Sequence, residues 1–199
     1  MIEVEETGGV TQLRLARPEK ANALTREMLE GLRDAVRAAR TPVLVLTGAG
    51  QVFSAGMDLA AAKEGLATSP VWEELSGAIA RFPGLTIAAL NGTAAGGALG
   101  MVLACDLRVA VPAASVFYPV MKLGFLPQPS DPRRMAALIG APRAKRILMA
   151  GEKISAETAR DWGLFDAIAE DPLAQAAVWS AAAREAKPGH AAAIKALFD

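Results

Sequence analysis

The chain has 199 residues, of which 52% are hydrophobic and 21% charged, so it is long and apolar enough to bury one sizeable core. Its 21 basic and 21 acidic residues give a formal net charge of zero, which leaves no long-range field to attract nucleic acid or an anionic membrane surface. The single cysteine excludes an internal disulfide, and one cysteine with one histidine cannot build an ordinary zinc site. With no signal-peptide pattern in the acidic start MIEVEETGGV, we expect a cytoplasmic protein without a bound metal.

The first quarter of the chain predicts a hairpin, a helix and a buried strand. Residues 2 to 6 and 11 to 16 are β-like runs separated by Gly8-Gly9, which indicates an N-terminal hairpin. Thr25 is placed to cap a helix that ends near Thr41-Pro42. Apolar residues follow the cap at helical spacing: Met28, Leu29, Leu32 and Val36. The run PVLVLTG, residues 42 to 48, is continuously apolar, as in a strand covered on both faces.

The rest of the chain continues the alternation of strands and helices. The run LTIAAL, residues 85 to 90, predicts a strand between a helix around residues 70 to 82 and another at 97 to 105. This order predicts an α/β protein with a mainly parallel, buried sheet. From Asp131 onward the pattern is helical, with an Ala-rich helix from about 172 to 186. Breaks in this helical region are expected at Gly140, Pro142, Gly151 and Gly163.

Two clusters of small residues could hold a ligand against the main chain. They are Ser54-Ala55-Gly56 in VFSAGMDLA and Gly96-Gly97 in AAGGALG, the second at the head of a predicted helix. Small side chains allow close approach to the backbone, and free N–H groups can stabilise a developing oxyanion. A dinucleotide fingerprint fails at Phe53, where its third glycine should stand, and a serine-hydrolase elbow fails at Val52. By itself each cluster is more typical of tight packing, and Trp72 is typical of core.

The motifs in order resemble the crotonase, or enoyl-CoA hydratase/isomerase, family. They are RPEKANAL, VLTGAGQVFSAGMDL, IAALNGTAAGGALGMVLACDLRVA, GFLP and GEKISAETARDWGLFDAI, and they extend from about residue 10 to the tail. The resemblance implies a crotonase-like α/β fold of repeated ββα units with a C-terminal helical region. It implies a ββα core with the acyl-CoA site in residues 1–135, and a shortened helical and trimerisation region in residues 136–199 of the same compact unit.

The resemblance also implies the ligand and its partners. The substrate would be an acyl-CoA thioester, with coenzyme A as part of that substrate and no separate cofactor. The assembly would be a homotrimer or a dimer of trimers. By motif position, the backbone N–H groups of Met57 and Gly97 would hold the enolate oxygen. The residues expected along the CoA and acyl groups are Lys20, Ala21, Ala23, Leu24, Ser54, Ala55, Gly56, Asp58, Leu59, Gly96, Pro119, Val120 and Leu123.

The chain departs from the family pattern at its acids. Hydratases of the family carry two glutamates where this chain has Gly100 and Val120, and some isomerases carry an acid where it has Gln128. The nearest acid in that loop is Asp131, which could either reach the pocket as a catalytic group or cap the helix that Pro132 opens. An Asp before Pro at a helix start favours the capping interpretation. Asp58 likewise has the pattern of a local helix cap. The tail ends at Asp199, so a final helix that covers the CoA in relatives is not expected here.

These features predict an acyl-CoA enzyme that stabilises an enolate. Isomerisation needs one proton relay, whereas hydration needs a placed water with both an acid and a base, so the missing glutamates favour isomerase-type chemistry. Decarboxylation also stays open, because loss of carbon dioxide itself generates an enolate. The alternative from another class is a catalytically silent acyl-CoA-binding or assembly subunit with the same fold.

Overall fold

The computed structural model describes residues 1–198, which form ten strands and ten helices in alternation. The strands are β1 (Ile2–Thr7), β2 (Val10–Leu15), β3 (Val43–Gly48), β4 (Val52–Ser54), β5 (Leu85–Leu90), β6 (Thr93–Ala95), β7 (Leu107–Ala110), β8 (Ser115–Phe117), β9 (Ile154–Ser155) and β10 (Ala167–Ile168). The helices are α1 (Arg26–Ala38), α2 (Leu59–Lys63), α3 (Val71–Ala80), α4 (Leu99–Ala104), α5 (Val120–Leu123), α6 (Asp131–Ile139), α7 (Ala141–Leu148), α8 (Ala156–Trp162), α9 (Pro172–Glu185) and α10 (His190–Lys195). Single 3₁₀ turns lie at Pro18–Lys20, Leu66–Thr68 and Gly96–Ala98.

The strands form two sheets, and each repeated unit contributes one strand to each sheet. The larger sheet has the order β1-β2-β3-β5-β7-β10, in which only the β1–β2 pair is antiparallel. The smaller sheet has the order β4-β6-β8-β9, with β9 antiparallel. The pairs β3–β4, β5–β6 and β7–β8 each precede helix, so the predicted ββα repeat and the mainly parallel sheet are confirmed.

The predicted N-terminal elements are confirmed, with physical reasons visible in the structure. Thr25 caps α1, because its hydroxyl accepts a hydrogen bond from the N–H of Met28 at 3.3 Å. The apolar stripe of α1 is buried in the main core, which lies between the large sheet and helices α1, α3 and α4. Strand β3 is buried throughout, since Leu44 and Leu46 face that core while Val43 and Val45 face a smaller core under α9.

The C-terminal region differs from the sequence prediction in two respects. It is not purely helical, because β9 pairs with β8 and β10 pairs with β7, so each sheet gains a strand from this region. Pro142 is not a break but lies in the first turn of α7, where a residue without an N–H is tolerated. Gly140 and Gly163 do end helices, with φ of 80° and 89°. Across residues 1–198, no helix is both long and apolar enough to cross a bilayer.

Candidate functional site

The two small-residue clusters predicted from the sequence lie against each other. Gly56 has φ of 90°, and a Cβ on it would lie 2.7 Å from the carbonyl oxygen of Ala95 and 3.5 Å from the Cα of Gly96. A side chain at position 56 would therefore separate the two turns, and the positive φ also favours glycine there. This contact holds the following residues, Met57 and Gly97, on the wall of one cavity.

The two predicted N–H donors are available for a ligand. The backbone N–H of Met57 donates no hydrogen bond within residues 1–198. The residues on either side of it are bonded to Leu24, through the Gly56 carbonyl and the Asp58 N–H. Gly97 lies in the first turn of a 3₁₀ helix, where N–H groups have no intrahelical acceptor. Its Cα packs tightly, because a Cβ there would lie 3.0 Å from the Trp72 ring. Both residues line the cavity, so their N–H groups are candidates for binding an oxyanion there.

The cavity has a volume of about 150 Å³ and a mostly apolar wall. Eight predicted residues line it: Ala55, Met57, Leu59, Gly96, Gly97, Pro119, Val120 and Leu123. Gln128, the position at which some isomerases carry an acid, also lines it. Sequence reasoning missed six further lining residues: Ala62, Ala67, Trp72, Tyr118, Phe125 and Leu126. None of these fifteen side chains is acidic or basic. The indole N–H of Trp72 donates to the carbonyl of Leu66 at 2.8 Å, so it is already paired.

The segment Lys20 to Leu24 does not line this cavity but is bonded to the loop that does. Leu24 donates to the carbonyl of Gly56 at 2.7 Å and accepts from Asp58 at 2.9 Å. Ala55 donates to the carbonyl of Ala21 at 2.9 Å. The hydroxyl of Ser54 donates to the carbonyl of Asn22 at 2.8 Å. Lys20, which is exposed, and Ala23 belong to the same segment. The segment therefore lies beside the loop, where it could contact the part of a long ligand that extends out of the cavity.

Asp58 is a helix cap, as predicted. Its carboxylate accepts hydrogen bonds from the N–H groups of Ala60 and Ala61 and forms an ion pair with Arg17 at 2.6 Å. The hydrogen bond from the Arg17 guanidinium lowers the pKa of this carboxyl. Since both of its oxygens are engaged outside the cavity wall, Asp58 stabilises the loop and is not positioned as a base.

The capping prediction for Asp131 is wrong. Ser130 is the N-cap residue of α6, and the Asp131 side chain makes no capping hydrogen bond. Asp131 is instead fully buried, and its Oδ2 accepts a hydrogen bond from the hydroxyl of Tyr118 at 2.9 Å, while its Oδ1 has no partner in the described chain. Burial raises the pKa of its carboxyl to about 7; the hydrogen bond from Tyr118 lowers it and the charge of Glu73 raises it. The missed signal was Tyr118, which stands in the motif FYP just before the cavity residue Pro119.

No group of three or more His, Cys, Asp or Glu side chains in residues 1–198 could hold a metal ion. The candidate site therefore consists of two possible backbone donors, a mostly apolar wall, and a buried pair in which the lining residue Tyr118 is bonded to Asp131 behind the wall.

Comparisons with known proteins agree with the geometry. Residues 5–199 match the family model described as enoyl-CoA hydratase/isomerase. The chain is 36% identical over 188 residues to a probable enoyl-CoA hydratase, echA6, of Mycobacterium leprae, covering 91% of this chain and 75% of that protein. It is 34% identical over 180 residues to 4-chlorobenzoyl coenzyme A dehalogenase-1 of Arthrobacter, covering 84% of this chain and 65% of the relative.

Solved structures give the same result for the fold. DspI of Pseudomonas aeruginosa superposes with a TM-score of 0.90 at 32% identity, over 99% of this chain and 85% of that chain. An enoyl-CoA hydratase of Bacillus anthracis superposes with a TM-score of 0.91 at 29% identity, over 99% of this chain and 81% of that chain.

Proposed function

Because the chain belongs to the enoyl-CoA hydratase/isomerase family, we propose that it binds an acyl-CoA thioester and stabilises the enolate of that thioester. The observation that supports the proposal is the contact between the Gly56 and Gly96 turns, which brings Met57 and Gly97 to the lining of one cavity. Two N–H groups that share one thioester oxygen would stabilise the negative charge that develops when a proton leaves the α-carbon. The apolar surroundings strengthen this interaction, since little water screens it.

The proposed chemistry is of the isomerase type rather than hydration. Gly100 offers no side chain, and Val120 is an apolar wall residue, so neither position can hold or activate a water molecule. Isomerisation moves one proton between two carbon atoms of the same substrate, so it needs the enolate site and a single proton-transfer group. Assembly into a homotrimer or a dimer of trimers is a prediction from the family resemblance. The same resemblance predicts that coenzyme A enters only as part of the substrate.

Binding can be tested by thermal unfolding with free CoA, butanoyl-CoA and crotonyl-CoA. A ligand at 100 times its Kd should add about 2.7 kcal/mol of stability. For a domain of this size that gain raises Tm by roughly 5 to 10 °C. If none of the three compounds shifts Tm, the proposed ligand is wrong.

The oxyanion site can be tested separately with a chromophoric thioester such as 2,4-hexadienoyl-CoA. Two N–H donors at the thioester oxygen should polarise the conjugated system and move its absorption to longer wavelength, whereas the free acid added with CoA should show no such change. Mass spectrometry of incubated enoyl-CoA esters then tests turnover. Binding and a spectral shift without any conversion would favour the alternative function, a silent acyl-CoA-binding or assembly subunit.

A further inference from the structure

A carboxyl group lies next to Gly100, although position 100 itself has no side chain. A Cβ built on Gly100 would lie 3.1 Å from Oδ1 and 3.5 Å from Oδ2 of Asp131. The two residues are 31 positions apart and come from different helices, α4 and α6. The Asp131 carboxyl group therefore occupies the space that a side chain at position 100 would enter.

Asp131 is connected to the cavity through Tyr118. The phenol donates to Oδ2 of Asp131 at 2.9 Å and is contacted by the backbone N–H of Gln128 at 3.4 Å. Tyr118 lines the same cavity as Met57 and Gly97. The hydrogen bond thus links the phenol of a cavity-lining residue to a fully buried carboxyl group.

Within the described chain, only one oxygen of the buried carboxyl group has a hydrogen-bond partner. Helix α6 is preceded by Ser130 at its cap, and Oδ1 of Asp131 lacks any hydrogen-bond partner in residues 1–198. A buried polar atom without a partner destabilises a fold, so an apolar residue would suit this position better for stability alone. A buried, ionisable group that reduces stability beside a ligand cavity is typical of a functional group.

We propose that Tyr118 and Asp131 form the proton relay of this site, with Tyr118 as the catalytic residue and Asp131 as the positioning residue that exchanges a proton through it. This inference rests on the proposed function and names its missing proton-transfer group. In the forward step the C–H bond at the α-carbon breaks, and its electron pair enters the enolate. The departing proton forms a new O–H bond on Tyr118, while the original phenol proton moves to Oδ2 of Asp131. The reverse transfer to the γ-carbon completes the isomerisation and restores both groups.

The charges around the pair suit this role. Burial raises the pKa of Asp131 to about 7, which makes its carboxylate a stronger base than an exposed one and lets it hold or release a proton near neutral pH. Three groups face it: Tyr118, Glu73, which accepts hydrogen bonds from Ser130, and Arg134, which donates to the Ser130 hydroxyl at 2.8 Å. Burial also raises the pKa of Tyr118, so the phenol keeps its proton unless Asp131 accepts it.

The test measures exchange of the α-protons of butanoyl-CoA in D₂O, by NMR or mass spectrometry, for the wild type, Tyr118→Phe and Asp131→Asn. Asp171→Asn is the matched control, because it makes the same change at a helix-capping aspartate outside the cavity wall. We expect both relay variants to exchange about 100 to 10,000 times more slowly, with little change in the Kd for butanoyl-CoA. The control should keep the wild-type rate. Wild-type exchange should rise with pH up to about 7 and then level off, and Asp131→Asn should lack this rise.

Each other result has a definite meaning. Wild-type protein that binds butanoyl-CoA but exchanges no α-proton overturns the relay and leaves the binding function intact. Exchange at the wild-type rate in Asp131→Asn also overturns it. Tyr118→Phe removes the donor to Oδ2 of Asp131, so a loss of exchange in this variant can also come from a disturbed site. Asp131→Asn keeps an oxygen acceptor for the phenol, so the exchange rate of this variant decides whether the relay exists. Failure of the wild type to bind butanoyl-CoA, crotonyl-CoA or CoA overturns the proposed function itself.

Discussion

The stability of Asp131→Asn relative to the wild type should increase as the pH rises. The pKa of this carboxyl is raised from its ordinary 3.8 to about 7 in the folded protein, chiefly by burial. Since the folded state then binds more protons than the unfolded state between about pH 4 and pH 7, the free energy of unfolding falls as pH rises through that window. Because the pKa is raised by about three, the charged carboxylate lowers the free energy of unfolding by about 4 kcal/mol above pH 7. Asparagine keeps the size and the acceptor for Tyr118 but cannot ionise, so the penalty disappears.

The assay is urea unfolding of the wild type and Asp131→Asn at pH 5, 6, 7 and 8. The stability advantage of the variant should grow by about 2 to 3 kcal/mol between pH 5 and pH 8, because part of the wild-type penalty is already present at pH 5. Asp171→Asn controls for the loss of one exposed carboxylate and should follow the wild-type curve. Parallel curves for the wild type and Asp131→Asn would refute the reasoning, since the carboxyl would then titrate alike in the folded and unfolded chain.

Three further predictions concern the site and the fold. Hydration of crotonyl-CoA, followed by loss of its enoyl absorbance, should be negligible, because neither Gly100 nor Val120 can hold a water; rapid hydration would mean that another acid reaches the substrate. Gly56→Ala should abolish the Tm shift with acyl-CoA and lower stability by more than about 1 kcal/mol, because its Cβ would lie 2.7 Å from the Ala95 oxygen at a positive φ; unchanged binding would contradict the paired-turn site. Thr25→Ala should cost about 1 kcal/mol in urea unfolding through loss of the α1 cap, with ligand binding retained.

The sequence by itself determined the elements whose signals are local. The alternation in β2, the cap and apolar stripe of α1 and the continuous burial of β3 are properties of neighbouring residues, so short-range patterns predicted them. The motif order also predicted the ββα repeat and, through family resemblance, eight residues of the cavity wall. Ala55, Gly96 and Gly97 lie in turns where small side chains are required and leave a recognisable pattern, whereas the other five came from the family resemblance alone.

The tertiary structure alone decided the features that depend on distant partners. Strands β9 and β10 are two residues each, and they exist because β8 and β7 supply their hydrogen bonds. Trp72 joins the cavity because α3 packs its ring against Gly97. Asp131 carries a local capping pattern, yet its side chain turns inward to the phenol of Tyr118, and Ser130 occupies the N-cap position without a side-chain capping hydrogen bond. A carboxylate at this position can accept a hydrogen bond either from a nearby backbone N–H or from a side chain brought close by the fold, and the position of Tyr118 decides between the two.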